Sequence, residues 1–98
     1  MVNKIEFSRH SLAELGEIIN YLEQNASEQA ANKFADLVKK QLHQLKSNLV
    51  EGRPVPPLKT IRFVRIGQYH RMYYRKHGLT LHITHFFDTR QDPAKRPY

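Results

Sequence analysis

The chain has neither cysteine nor tryptophan among its 98 residues. Without thiols, a disulfide framework and a thiolate zinc site are both excluded, a composition suited to a reducing cytoplasm. No apolar run approaches the roughly 20 residues of a membrane-crossing helix, and the polar start Met-Val-Asn-Lys-Ile-Glu lacks the apolar stretch of a signal peptide. The expectation is a soluble cytoplasmic protein that does not engage a membrane. Glycine is scarce, with four in the chain, and the glycine motifs of phosphate and dinucleotide loops are missing. The six histidines, His10, His43, His70, His77, His82 and His85, are scattered without metal-ligand spacing, so no metal or other cofactor is expected. Covalent catalysis has no evident nucleophile, and Asp88 with Asp92 makes no glycosidase pair.

The second half is also short of acids. Residues 1–52 hold six Lys or Arg against seven acids, whereas residues 53–98 hold ten against Asp88 and Asp92 alone. The net charge of +7 therefore belongs to the second half. A field concentrated in this way attracts nucleic acid or an acidic protein segment, where evenly scattered charge would serve only solubility.

The length suits one domain over 1–98 with a single modest core. Ile5 and Phe7 alternate with Lys4 and Glu6, which predicts a short strand ending at Ser8. Leu12, Leu15, Ile18, Ile19 and Leu22 then recur at helical spacing. Ser8 suits the N-cap, while Ser11 with Glu14 forms a capping-box pattern that would start the helix one turn later. Glu14, Glu17, Asn20 and Glu23 fall on the wet face, and Tyr21 beside the stripe reads as half-buried packing. After a break at Asn25 and Ala26, the stripe Ala30, Ala31, Phe34, Leu37, Val38, Leu42, Leu45 and Leu49 predicts a second helix over about 28–48, roughly 30 Å long. So short a connection makes the two helices an antiparallel hairpin.

Gly52 ends the second helix, and three prolines within four residues, Pro54, Pro56 and Pro57, predict a loop over 51–58. Three strands follow, over 61–66, 69–76 and 79–87, turning at Gly67-Gln68 and His77-Gly78. Strict alternation places Met72 and Tyr74 toward the helices, and likewise Leu79, Leu81, Ile83, His85 and Phe87. The fold class is thus α+β, in the order β-α-α-β-β-β: a helical hairpin on one face of a four-stranded, mainly antiparallel sheet. The other face is left open and carries Arg71, Tyr73 and Arg75 beside Arg62 or Arg65. Such a set can grip phosphate oxygens or an acidic protein surface. The tail, 88–98, is expected to be extended.

Several stretches, taken in order, resemble the RelE/ParE superfamily of bacterial toxins. They are Phe7-Ser8, Ala13-Glu14-Leu15 with Ile18 and Tyr21, and Gly52-Arg53-Pro54. Next come Arg62 with Arg65-Ile66-Gly67, Tyr69, Arg71 and Tyr74, and lastly Phe87-Asp88-Thr89-Arg90-Gln91-Asp92-Pro93. The helix motif is most similar to the ParE branch. The resemblance implies the toxin of a type II toxin-antitoxin pair, involved in growth inhibition and plasmid stabilisation. Its partner would be a small, acidic cognate antitoxin in a hetero-oligomeric complex. A ParE-like toxin would bind DNA gyrase, and Arg65, Arg71, Tyr73, Arg75, Arg90, Lys95 and Arg96 are the target-binding candidates. A RelE-like enzyme would instead cleave mRNA on the ribosome, using Arg62, Arg71 and Arg90 with His85 or Tyr98 as catalytic residues. A non-toxic binding module on the same fold is the third reading. The second-strand lysine of the nucleases is absent, with Val64 near its place, and this favours the ParE-like branch.

Overall fold

The computed structural model describes residues 2–98. Its elements are β1 (Lys4–Phe7), α1 (Arg9–Asn25), α2 (Glu28–Lys46), β2 (Arg53–Val55), β3 (Leu58–Ile66), β4 (His70–His77) and β5 (Thr80–Asp88), followed by a 3-10 turn over Pro93–Lys95. The sheet runs β1-β5-β4-β3-β2. β1 is parallel to β5, and the other pairs are antiparallel. The α+β arrangement of a helical hairpin on a mixed sheet follows expectation, but the sheet has five strands rather than four. The fifth, β2, lies in the proline-rich stretch read as a loop. Its pairing of Pro54 with Arg62 is tolerated because β2 is an edge strand, where a missing N–H costs no ladder bond. Neither helix is long and apolar enough to cross a membrane.

Ser8 joins the first strand and helix to the sheet. Its side chain accepts from the Ser11 amide at 3.0 Å and donates to the Thr84 carbonyl at 2.7 Å, while its own amide donates to the Ile83 carbonyl at 2.9 Å. The helix therefore starts after Ser8, not one turn later. Glu14 is released from a capping box and does something else. β1 stops pairing with β5 at Ile83, which leaves the Phe86 amide without a strand neighbour, and Glu14 Oε1 accepts from it at 3.0 Å.

The main core lies between helices and sheet. Phe34, Val38 and Leu45 of α2 pack on Val64, Ile66, Met72, Tyr74, Leu81, Ile83 and Phe86, with Leu15, Ile18, Ile19 and Leu22 of α1 half-buried against them. Each helical stripe overruns this core at one end, so Leu12 and Leu49 are exposed, and Tyr21 is exposed rather than half-buried.

β5 departs from strict alternation. Tyr73 pairs with His85 but Tyr74 pairs with Ile83, so Thr84 is an extra residue, a bulge. One inserted residue reverses which face each later side chain meets. Phe86 therefore joins the helix-side core, while Phe87 packs with Ile61 and Tyr73 on the opposite face, contrary to the expected core positions of His85 and Phe87. The face expected to be open is thus partly covered by a second apolar cluster that also takes in Val55 and Phe63.

Candidate functional site on the far sheet face

The far face is built in cross-strand rows. Arg65 of β3 stands opposite Arg71 of β4, which pairs with Phe87 of β5; the next row is Phe63, Tyr73 and His85. Two arginines directly opposite repel, and they diverge. Arg65 donates to the Gln68 carbonyl at 2.9 Å, while the Arg71 guanidinium lies 4.2 Å from the Phe63 ring centre and 3.3 Å from the Tyr73 hydroxyl. Arg71 is thereby set over an aromatic floor with the rest of its charge toward solvent. Arg75 is exposed at the next same-side position of β4.

Aromatic rings continue across this face. Tyr98 returns from the tail to stand 5.3 Å from Tyr73 and 5.6 Å from His85, edge-on to both, and its hydroxyl donates to Thr84 Oγ1 at 2.8 Å. The tail, expected to be extended, is instead folded back by the turn at Pro93–Lys95, where the Asp92 side chain accepts from the Ala94 amide. His85 Nδ1 lies 3.2 and 3.3 Å from the two carboxylate oxygens of Glu14. A carboxylate only accepts, so Nδ1 is the nitrogen that donates and Nε2 is left for another partner. The structure thus brings Arg71, Tyr73, His85 and Tyr98 together, and adds Glu14 and Thr84, which sequence reasoning missed. Glu14 read as wet helix surface, and no residue of β5 announces the bulge at Thr84.

The remaining site candidates lie elsewhere. Arg62 points away from Arg71: it donates to the Gly52 carbonyl at 2.7 Å and meets Glu51 at 3.4 Å, beside a cavity of about 250 Å³ lined by Lys59, Thr60, Tyr74 and Lys76. Arg90 makes a forked pair with Asp88, at 2.7 and 3.0 Å, and its guanidinium lies 4.3 Å from the Tyr69 ring centre. With His70, Tyr21, Ile18 and Leu22 it borders a separate cavity of about 260 Å³ against α1. The Arg90 hydrogen bonds pull the Asp88 carboxyl below its ordinary value, and Asp88 raises Arg90 in turn. Lys95 lines a third cavity with Glu14, Glu17 and His85, and Arg96 is exposed. Arg62, Arg71 and Arg90 therefore do not converge.

His70 supplies a pH signal at the Arg90 end. Its ring packs edge-on to Phe34, with Asp88 Oδ2 3.8 Å away. Burial lowers its pKa most; Asp88 opposes that shift and Arg90 adds to it. A lowered imidazole pKa means that the unfolded chain binds the proton more readily. This contribution to stability is complete above about pH 6.5 and is lost as pH falls toward the folded value. The melting temperature is expected to fall between about pH 7.5 and about pH 5.5, before Asp88 titrates, and less so in His70→Gln. Equal losses in both proteins would remove His70 as the cause.

The family model described as ParE toxin of type II toxin-antitoxin system, parDE, matches residues 5–93. The chain belongs to the ParE toxin family. ParE membership accounts for the order of its motifs from β1 to Pro93. No curated protein sequence matches the chain. Among solved structures it is similar to a chain of the chromosomal ParDE system from P. aeruginosa, with a TM-score of 0.71 and 18% identity over 87% of this chain and 94% of that one. A YoeB/ParE toxin from Agrobacterium tumefaciens gives 0.63 and 14% identity over 88% and 98%. A chain of the E. coli DinJ-YafQ toxin-antitoxin complex gives 0.62 and 12% over 90% and 93%. At these identities the likeness is one of fold, shared by ParE and YoeB/YafQ chains alike.

Proposed function

We propose that this ParE-family chain acts in the cytoplasm by binding DNA gyrase and blocking replication, and that an acidic cognate antitoxin neutralises it. The divergence of Arg62, Arg71 and Arg90 carries this reading. A nuclease that stabilises the charge of an attacked phosphate needs cationic donors aimed at one point. Here one guanidinium is tied to Gly52 and Glu51, one to Asp88, and only Arg71 stands over the far face. Such a face suits recognition, with Arg71, Arg65 and Arg75 as its centre; Tyr73, expected on the open face, is buried beneath them and acts as floor rather than contact. The solved toxin-antitoxin complexes with this fold support an antitoxin partner.

One observation favours the alternative of a ribosome-dependent mRNA endoribonuclease. His85, oriented by Glu14 and next to Tyr98, is a histidine with a free ring nitrogen on the same face as Arg71. Expression without an antitoxin separates the two readings. Growth arrest with loss of supercoiling by purified gyrase is expected, and intact translated mRNA by primer extension. Codon-phased cuts with unaffected supercoiling would replace the gyrase reading with the nuclease, and normal growth would leave a binding module.

A further inference from the structure

The docked ring of Tyr98 is a feature that the proposed function does not use. The partners of the Tyr98 ring lie on the sheet: Tyr73 on β4, and Thr84 and His85 on β5. The bulge turns His85 to this side and sets the Thr84 hydroxyl beside the ring, and Glu14 holds His85 from α1. Tyr98 itself remains 39% exposed and is fastened by one hydroxyl bond and two edge contacts. So few contacts oppose the entropy gained by freeing the segment, and release costs little.

We infer that Tyr98 is a latch seated in a pre-built site for an aromatic side chain, and that a tyrosine or phenylalanine flanked by acids on a protein partner takes its place. The inference rests on reading the far face as the partner-binding surface. Ring geometry sets the chemistry of the occupant. The Tyr98 plane is inclined at 61° to Tyr73 and 80° to His85, so the site takes a ring edge-on between two others. A nucleobase gains most by lying flat on a parallel ring, and neither wall is parallel to the occupant. Thr84 Oγ1 adds an acceptor at the distance of a phenol hydroxyl. Acids beside the entering ring meet Arg71, Arg65 and Arg75; the acids of this region are already engaged, Glu14 with His85 and the Phe86 amide, Glu6 with Lys4 and His82.

The test uses the full chain and its Tyr98→Ala variant. The probes are a labelled pentapeptide with tyrosine between acids, the same peptide centred on alanine, and an oligothymidylate. The tyrosine peptide is expected to bind Tyr98→Ala about tenfold more tightly than the native chain, the gain of removing a competing occupant. The alanine peptide should show no such gain. Thr84→Val in the Tyr98→Ala background should weaken the tyrosine peptide roughly three- to tenfold, the worth of one hydrogen bond. Carbethoxylation of His85, followed by peptide mapping, should be faster in Tyr98→Ala than in the native chain. Equal peptide affinity for both proteins, an oligonucleotide gain as large as the peptide's, unchanged His85 reactivity, or a marked loss of melting temperature in Tyr98→Ala would each overturn the latch. Supercoiling is scored separately: unaffected gyrase with the peptide gain intact sinks the gyrase reading alone, and inhibited gyrase without the gain sinks the latch alone.

Discussion

Arg71→Ala is expected to lower gyrase inhibition by roughly 30-fold, the scale of a central interface residue worth about 2 kcal/mol. The cause is positional. Among the described residues Arg71 is the one arginine held over the Phe63 and Tyr73 rings with part of its charge still toward solvent, so a partner meets it already oriented. Truncation should leave the fold nearly untouched, because the cation–π contact it loses is worth about 0.5–1 kcal/mol at such a site and the repulsion from Arg65 goes with it. Titration of purified gyrase with each variant gives the first number, and a thermal melt gives the second. Arg90→Ala is the matched control, since its guanidinium is committed to Asp88 near α1. It should inhibit far more like the native chain than Arg71→Ala does. Full potency in Arg71→Ala, or equal losses in both variants, would place the binding surface elsewhere.

That contrast between two arginines could not be read from the sequence, though most of the frame could. The helical stripes, Ser8 as N-cap and the turns at Gly67 and Gly78 are local signals, fixed by spacing, by a side-chain acceptor and by positive φ values of 64° and 60°. Alternation likewise placed Met72 and Tyr74 in the main core. What failed was non-local. The bulge at Thr84 is an event of pairing between β4 and β5, invisible in β5 alone, and it moved His85 and Phe87 to the far face. β2 was missed because prolines argue against a strand unless it lies at an edge, and edge position is a property of the whole sheet. Glu14 obeys helical periodicity as a wet residue, yet it serves as acceptor where β1 runs out. Arg90 follows Asp88 by two residues, and that pairing draws it away from Arg71. Apart from the local Asp88–Arg90 pair, each error concerns what a residue meets across the fold.

The largest effect on stability is expected at Gly52, read from the sequence as the end of a helix that in fact stops at Lys46, six residues earlier, with Ser47 as its C-cap. Gly52 is buried where β2 begins, its amide donating to the Tyr74 hydroxyl at 2.7 Å and its carbonyl accepting from Arg62 at 2.7 Å. A methyl group there would meet the Phe63 carbonyl oxygen at 2.5 Å, the Tyr74 hydroxyl at 2.7 Å and a Tyr74 ring carbon at 2.8 Å. The first is backbone within β3 and the others belong to a ring fixed in the main core, so none can swing aside. Gly52→Ala therefore has to push β2 from β3, straining both hydrogen bonds as it relieves the clash. Overpacking and a disrupted buried bond together amount to about 3 kcal/mol or more, a large share of the roughly 5–15 kcal/mol of a small domain. Urea unfolding should show a clearly lower midpoint with an unchanged slope. Adding Tyr74→Phe removes the oxygen at 2.7 Å but not the Phe63 carbonyl. The double variant should thus recover part of the loss at most, and the two substitutions should be non-additive. A native midpoint in Gly52→Ala would mean that β2 does not pack against β3 as described, and Arg62 would then be free to leave Gly52 and turn elsewhere.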